Sequence, residues 1–355
     1  MKLKFLLAGI FTCILSYSAL AQTDFSVGEI TVINLGDGRL LFRTVKGEKP
    51  IEGERRIIDG YKSEYILAQF SKGMYDGKYE HYKYNKLVEK GAYKEGIKDG
   101  MFIEYYSDGS VKSEKPITDG KLNGILKTYF TNGKPESEKG YKNGVEDGIE
   151  QRWDWETGQL KVDCKYADGK PDGKQTRHIS SNTGDYVEVS NYEKGVQTGE
   201  FTQTWTNGKL RVQGKYRDGK KEDVWVEYHQ NGKPEKSTTY KNGERTGEYK
   251  TFFSDGTVEK IENYIGGQRE GVSQEFFYDS GKLRAEYNYV NNVKEGKYKL
   301  YYDDGTLREE GRCEDGREVY RKEYYKNGKV KDISERNARG TWEIIESYNS
   351  DGSQK

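Results

Sequence analysis

The sequence is poor in the residues that build metal sites, disulfide scaffolds and large apolar cores. Its 355 residues include 3 cysteines, 3 histidines and 5 prolines, and only 33% are hydrophobic, against the roughly 45–50% apolar residues of ordinary globular domains. Acidic and basic residues balance at 59 each, so the charge gives no general support to binding of nucleic acid or of an anionic membrane surface. No apolar run after the N-terminal region reaches the length of a transmembrane helix.

Glycine and tyrosine are abundant instead, with 43 and 30 copies. Charged residues make up 33% of the chain, and high charge with low hydrophobicity can indicate disorder. Disordered chains are, however, poor in aromatic residues. Tyrosine at this density indicates a structure that half-buries the ring and leaves the hydroxyl in contact with water.

The first 21 residues have the three parts of a secretory signal peptide. Lys2 and Lys4 form a basic start, residues 5–15 are an apolar run, and small residues precede a cleavage site after Ala21. The apolar run is too short for a membrane anchor, and the residues before Cys13 are too bulky for lipoprotein cleavage. We therefore expect a mature chain without a transmembrane segment that is periplasmic, exposed on the cell surface or secreted.

The remaining chain repeats a glycine-led pattern every 23 to 26 residues, which is typical of a repeat array. The units begin at Gly77, Gly100, Gly124, Gly148, Gly173, Gly199, Asp223, Gly247, Gly271, Gly296 and Val319. An earlier unit starts at Ile51. We therefore divide the chain into a signal peptide (1–21), an N-terminal cap (22–50), about twelve repeats (51–340) and a C-terminal tail (341–355).

Each unit has the pattern of a β-hairpin. In the unit that begins at Gly199, apolar and polar residues alternate up to Trp205, Asn207-Gly208 follows, and a second alternating run ends at Tyr216 before Asp218-Gly219. Asn-Gly between alternating runs predicts a type I′ hairpin turn. Because a lone hairpin is marginal in water, stacked hairpins must cover one another. We expect an all-β fold, an elongated and twisted antiparallel ribbon of stacked β-hairpin repeats.

Aromatic pairs followed by Asn/Asp-Gly recur in stretches such as YYSDGSVKSE, YFTNGKPESEKGYKNG and YYDDGTLREEG. These stretches resemble MORN repeats, and more closely the MORN-variant repeats of bacterial proteins described as YwqK-type antitoxin components. The resemblance covers roughly residues 51–340 and implies a scaffold or a membrane-associated linker. An exported chain could not easily neutralise a cytoplasmic toxin, so the antitoxin role fits poorly.

No constellation for catalysis or metal binding is present in the sequence. His81, His178 and His229 lie in different units, and there is no HExxH, CxxC or glycine-rich phosphate loop. We therefore expect no enzyme, no catalytic residue, no cofactor and no metal. Cys164 and Cys313 lie about six repeats apart, too far for one disulfide, and are expected to be free thiols at packing positions.

The aromatic residues supply the candidate binding surface. Residues at the second and sixth positions after each opening glycine should share one face of the sheet, and residues at the fifth position should point to the other. The fifth-position set can merely stabilise the sheet through cross-strand pairs, or it can form a recognition surface for protein or glycan. This set comprises Tyr82, Tyr105, Tyr129, Trp153, Tyr228, Phe252, Phe276, Tyr301 and Tyr324.

These features favour an exported, non-enzymatic repeat protein that acts as a protein-interaction scaffold at the cell envelope or outside the cell. The alternative is a binder of cell-wall polysaccharide or another glycan, with the fifth-position rings stacked on sugars; an antitoxin or an enzyme is the least favoured. The unit from Gly173 to Thr198 is the longest and carries HISSNTGDY at its first turn. This irregularity is either functional or sequence drift in a surface loop. The sequence leaves the partner and the oligomeric state open.

Overall fold

The computed structural model describes residues 23–355, which form β-strands and one short 3-10 helix, Val27–Glu29. The chain divides into two compact units, of which the first ends at Gly144 and the second runs from Val145 to Lys355. We call them unit 1 and unit 2. The predicted signal peptide, residues 1–21, lies outside the described residues.

From residue 23 onward, unit 1 contains thirteen strands, numbered in chain order. They are β1 (Thr23–Ser26), β2 (Ile30–Asn34), β3 (Leu40–Thr44), β4 (Gly53–Asp59), β5 (Glu64–Ser71), β6 (Met74–Lys83), β7 (Lys86–Lys94), β8 (Ile97–Lys98), β9 (Gly100–Tyr105), β10 (Val111–Thr118), β11 (Lys121–Leu122), β12 (Gly124–Tyr129) and β13 (Pro135–Lys142).

Unit 2 continues the same pattern. Its strands are β14 (Val145–Trp153), β15 (Leu160–Ala167), β16 (Lys170–Pro171), β17 (Gly173–Ile179), β18 (Tyr186–Glu193), β19 (Val196–Trp205), β20 (Leu210–Arg217), β21 (Lys220–Tyr228), β22 (Pro234–Lys241), β23 (Glu244–Phe252), β24 (Val258–Ile265), β25 (Gln268–Arg269), β26 (Gly271–Phe276), β27 (Leu283–Val290), β28 (Val293–Tyr301), β29 (Leu307–Glu314), β30 (Arg317–Tyr324), β31 (Val330–Arg336) and β32 (Trp342–Ser347).

Strands that follow one another in the chain pair antiparallel, as in β19 with β20 and β20 with β21. The predicted all-β fold of stacked hairpin repeats is therefore confirmed. One pairing departs from the expected antiparallel order, because β1 lies parallel to β4. The hairpin β2–β3 comes between them in the chain and forms a sheet of its own; it returns the chain so that β4 runs in the same direction as β1.

The first turns built on Asn-Gly or Asp-Gly are not the type I′ turn that the sequence predicted, whereas Tyr84-Asn85, the first turn of the Gly77 repeat, has positive φ at both residues, 50° and 59°. At Asn207-Gly208 only the glycine has a positive φ, 82°, and its N–H donates to the carbonyl of Trp205 at 2.9 Å. The Asn207 side chain accepts a hydrogen bond from the Lys209 N–H at 2.9 Å, which stabilises the ordinary negative φ of the asparagine. The result is a type I turn followed by a left-handed glycine.

The second turns up to Asp315-Gly316 do have positive φ at both central residues, as at Asp218 (51°) and Gly219 (75°). The Gly219 N–H also donates to the carbonyl of Gln197 at 2.8 Å, one unit earlier in the chain. The same bond recurs from Gly96, Gly120, Gly144, Gly169, Gly195, Gly243, Gly267 and Gly316. Each of these second turns thus links its repeat to the preceding repeat.

A bulge in the first strand of the repeat requires the opening glycine. Around Gly296, with φ 80°, β28 contains extra residues opposite Asn288 of β27. The Asn288 side chain donates to the carbonyl of Glu295 at 3.1 Å and satisfies the exposed backbone. A left-handed backbone favours glycine, asparagine or aspartate, which explains why Asp223, φ 60°, can replace the glycine.

The two faces of the sheet differ in burial. We call face A the face that carries the second position after each opening residue, and face B the face that carries the fifth. In unit 1 an apolar core lies under the hairpin β2–β3, where the Phe42 ring lies 5.3 Å from Phe70 and 4.7 Å from Tyr75 between centroids. The core comprises Ile30, Phe42, Ile51, Ile57, Ala68, Phe70, Tyr75, Tyr79 and Phe102.

In unit 2, the Trp225 ring on face A is buried by a glycine below and a cation above. Trp225 is 4% exposed, and a Cβ added at Gly214 would lie 2.2 Å from its ring. The Lys221 ammonium lies 4.1 Å from the ring centroid, within the range of a cation–π contact. Similar cations cap other rings, in the pairs Arg245–Tyr264, Arg269–Tyr289 and Lys294–Tyr287.

Residues 341–355, set apart above as a tail, continue the sheet. Their first strand, β32, pairs with β31. A further first turn follows, with Gly352 at φ 89° donating its N–H to the carbonyl of Asn349 at 2.9 Å. The segment is part of another repeat, for which Tyr348 and Asp351-Gly352 were the available sequence signal.

Candidate functional site

All nine predicted fifth-position residues are half-buried, and none is either fully buried or fully exposed. The alternation of side chains along each strand places them on face B. They form two sets, one in each unit. The set of unit 1 comprises Tyr82, Tyr105 and Tyr129, and the set of unit 2 comprises Trp153, Tyr228, Phe252, Phe276, Tyr301 and Tyr324.

The tyrosines of unit 1 are held in place by neighbouring side chains. The Tyr82 ring stacks on Tyr65 with centroids 4.5 Å apart, and its hydroxyl donates to Glu80 at 2.8 Å. This hydrogen bond and burial raise the pKa of Tyr82 to about 12. Tyr129 donates its hydroxyl to Glu114, in the preceding repeat, at 3.1 Å. These half-buried tyrosine side chains therefore connect neighbouring strands.

The fifth-position residues of unit 2 lie on a face that also exposes aliphatic side chains. Tyr324 donates its hydroxyl to Glu310 at 2.6 Å, and burial, followed by this bond, raises the pKa of Tyr324. Val224 and Val272, at the first position of their repeats, are 51% and 44% exposed. Val290 and Val293, which pair with each other beside a second turn, are also exposed. Fixed rings beside exposed aliphatic groups can support apolar association.

The sixth-position aromatics lie at the edge of the sheet formed by the first turns. Tyr302 donates its hydroxyl to the carbonyl of Tyr324 at 2.9 Å, and Tyr325 donates to the carbonyl of Tyr348 at 2.9 Å. Tyr106 makes the same bond to Tyr129 in unit 1 at 2.7 Å. These residues link consecutive first turns and are not part of the deep packing on face A.

The histidines and cysteines do not assemble into a reactive group. His81 lies 3.4 Å from Glu64 and His229 4.0 Å from Glu235, and within residues 23–355 no group of three or more His, Cys, Asp and Glu side chains could hold a metal ion. Cys164 and Cys313 are buried, free thiols, as predicted. Burial raises the pKa of both, which disfavours the reactive thiolate.

The sequence analysis missed a group of side chains around the long turn of residues 180–185. The turn reaches the first turn two repeats later, where Gln230 donates to the carbonyl of Thr183 at 2.9 Å. Trp205 lies beside it and lines two cavities of about 820 and about 310 Å³. The unusual length of HISSNTGDY was the only available signal, and it does not reveal which residues the turn approaches.

No helix in the described part of the chain has both the length and the apolarity needed to cross a membrane. No curated protein matches the chain significantly. Among solved structures, a similarity is found to the crystal structure of TcdB2–TccC3, with 10% sequence identity and a TM-score of 0.15. It covers 89% of this chain but 24% of that one, so the chain spans about a quarter of that protein's length.

The family model described as the MORN repeat variant matches the chain six times. The matched residues are 122–143, 224–242, 245–265, 272–291, 294–312 and 317–336. They coincide with hairpins and second turns of the observed sheet. The finer likeness to YwqK-type proteins stays a prediction. The chain belongs to the MORN-repeat family, with six copies of the variant repeat between residues 122 and 336.

Proposed function

We propose that the protein is an exported, non-enzymatic scaffold that binds another protein at the cell envelope or outside the cell, through face B of unit 2. MORN repeats generally serve in protein and membrane interaction and are a non-catalytic repeat type. Export rests on the predicted signal peptide alone.

The observation that carries the proposal is the set of half-buried rings beside exposed aliphatic groups on face B of unit 2. Phe252, Phe276 and Tyr301 occupy the same position in three consecutive repeats, and Val272 and Val293 are exposed near the opposite ends of strands β26 and β28 on the same face. Rings already ordered by the sheet lose little conformational entropy when a partner binds. Aromatic residues are also enriched at protein interfaces.

Site-specific photo-crosslinking in intact cells tests this proposal. A photoreactive phenylalanine analogue replaces Phe276 or Tyr301 on face B, and in a matched variant it replaces Leu300, a half-buried residue on face A. We expect both face B variants to crosslink to the same protein and the Leu300 variant not to do so.

Two results would contradict the proposal. One is crosslinking of equal yield from Leu300 and Tyr301, which would show that face B is not selected. The other is the absence of any protein adduct from face B while the protein is present in the cells at its normal level.

A further inference from the structure

We propose that the long turn of residues 180–185 forms, with Trp205, a binding site for an uncharged saccharide of one to three rings. This site goes beyond the proposed protein-binding surface, because it lies at the first-turn edge and shares with the face B set only Tyr228, which lines the smaller cavity. We call it the Trp205 site; its principal residues are Asp185, Trp205, Arg211, His229 and Glu235.

The turn is held over Trp205 by contacts to two later repeats. The Thr206 N–H donates to the carbonyl of Asp185 at 3.2 Å, and Gln230 donates to Thr183 at 2.9 Å. A Cβ added at Gly184 would lie 3.4 Å from the Trp205 ring. The turn is therefore part of a structured wall that extends to the first turn two repeats later.

Trp205 separates two cavities whose sizes suit small ligands. The larger, about 820 Å³, is lined by Asp154, Lys161, His178 and Asp185 among others, and the smaller, about 310 Å³, by residues that include His229. Small-molecule sites usually measure about 300–1,000 Å³ and combine ring surfaces with a few polar groups. Tyr186 also lines the larger cavity and meets Trp205 edge to face, with centroids 6.3 Å apart.

Two buried side-chain nitrogens at the site have no hydrogen-bond partner in the protein. They are Nε1 of Trp205 and Nε2 of His229. An indole N–H can only donate, whereas a neutral imidazole nitrogen donates or accepts according to its tautomer. Buried polar atoms are usually paired, and hydroxyl groups of a ligand would pair with both kinds of nitrogen.

The charges around the cavities favour a neutral ligand. Arg211 lies 5.0 Å from the Trp205 ring centroid and fixes the indole, while Glu227 is paired with Lys236 at 2.8 Å. Glu235 has a side chain that is 54% exposed, with His229 4.0 Å away. An anionic ligand would meet carboxylates in both cavities. A saccharide supplies hydroxyls that donate to carboxylates and accept from indole or imidazole.

The site belongs to one place in the array. No matched repeat covers residues 144–223, and the longest unit lies within that interval. The same repeat position as Glu235 is occupied by Glu259 one repeat later, where no long turn is present. This position provides a matched control.

Fluorine NMR of the full chain labelled with 5-fluorotryptophan tests the proposal, since there are 5 tryptophans to resolve. The probes are tri-N-acetylchitotriose, maltotriose and cellotriose, each added up to about 10 mM to reveal dissociation constants in the millimolar range. We expect at least one probe to shift the Trp205 resonance saturably and to leave that of Trp342 unchanged. Glu235→Gln should weaken this binding about tenfold, and Glu259→Gln should not.

His229→Gln is a second variant with the same expected weakening, and unshifted resonances of the other tryptophans show that either variant is folded. The proposal is overturned if none of the three probes shifts Trp205. It is equally overturned if both variants bind as the unaltered protein does. Neither result affects the crosslinking test of face B, so either proposal can be refuted without the other.

Discussion

Units 1 and 2 differ in what covers most of face A, although Phe102 of unit 1, like Trp225 of unit 2, has a glycine (Gly91) below its ring and a lysine (Lys98) 4.2 Å from its centroid. In unit 1 the hairpin β2–β3 covers the sheet with a second layer, and nine residues form an apolar core under it. In unit 2 buried rings such as Trp225 alternate with buried polar residues such as Glu262 and Gln175. A lysine or arginine lies over several of these rings.

The difference shows how a chain with few aliphatic residues can still bury aromatic rings. A second layer needs a separate segment of apolar sequence. A glycine beneath a ring and a flexible cation above it need only one residue each in the repeat, because the alkyl stem of lysine covers apolar surface while its charge stays near water. Both occur at Trp225, and a cation also lies over Tyr264 and Tyr289. Such local cover stabilises a sheet without a large core.

The largest expected effect comes from removing the ring that anchors the second layer. Phe42→Ala should destabilise unit 1 by about 3–5 kcal/mol, since it removes a buried aromatic side chain and leaves a cavity. Hydrogen exchange should accelerate in β4 to β7. Strands β20 to β24 should keep their protection, because interactions in a repeat array extend mainly to neighbours. Equal loss of protection in both regions would contradict the comparison.

A smaller effect is expected from filling the space below a ring of unit 2. Gly214→Ala places a Cβ within 2.2 Å of the Trp225 ring and should cost about 2–3 kcal/mol by overpacking. Local hydrogen exchange in β20 and β21 measures it. Gly60→Ala is the control, because no atom lies within 4 Å of its added Cβ. Similar effects of both substitutions would show that Trp225 does not depend on Gly214.

Glu262 tests whether buried charge stabilises unit 2. Burial alone would raise its pKa, but hydrogen bonds from Lys260 and Tyr264 and the charges of Lys260 and Arg269 lower it overall. A lowered pKa means that the stabilisation is present above the unfolded value, about 4.5, and is lost as pH falls through the folded value.

Glu262→Gln should therefore destabilise β24 by about 2 kcal/mol at neutral pH, and the difference from the unaltered protein should shrink as the pH falls below about 4.5. Hydrogen exchange at several pH values, corrected for intrinsic rates, measures this. Glu259→Gln, at an exposed position on the same strand, is the control. A difference that stays constant down to pH about 3 would contradict the ionic role.

The smallest effect is expected from removing one cationic cap. Lys221→Met keeps most of the alkyl stem but removes the ammonium group over Trp225, and should destabilise unit 2 by about 0.5–1 kcal/mol. Urea denaturation followed by Trp fluorescence measures the change. Lys241→Met, an exposed lysine, should have less effect. The cap has no energetic role if the two variants are equally stable.

Much of the fold could be predicted because the turn residues mark where each strand ends. The opening glycines fixed the period, and Asn/Asp-Gly pairs marked both turns of each hairpin. The geometry of the first turn was predicted wrongly, since Asn207-Gly208 is compatible with either of two turn types and only the contact to Lys209 decides between them. Asp351-Gly352 was overlooked because the repeat it belongs to is incomplete.

Less of the candidate site could be predicted, because it depends on contacts between repeats. The sequence identified the fifth-position aromatics but not the hydrogen bond that Tyr324 makes to Glu310. The cations over the rings could not be predicted, because their position in the repeat is not always basic: Leu122 and Pro171 occupy the position that corresponds to Lys221. The contact between Thr183 and Gln230 joins residues 47 positions apart, which no pattern within one repeat can reveal.

Hydroxyl-radical footprinting tests most directly the central claim that face B of unit 2 is an open surface reserved for a partner. Phe276 and Tyr301 on face B are compared with Tyr298 on face A, which is 2% exposed, in the purified protein and in intact cells. We predict that Phe276 and Tyr301 are oxidised readily in the purified protein and become protected in cells, while Tyr298 reacts little in both. Equal reactivity of Phe276 and Tyr301 in the two preparations would contradict the claim.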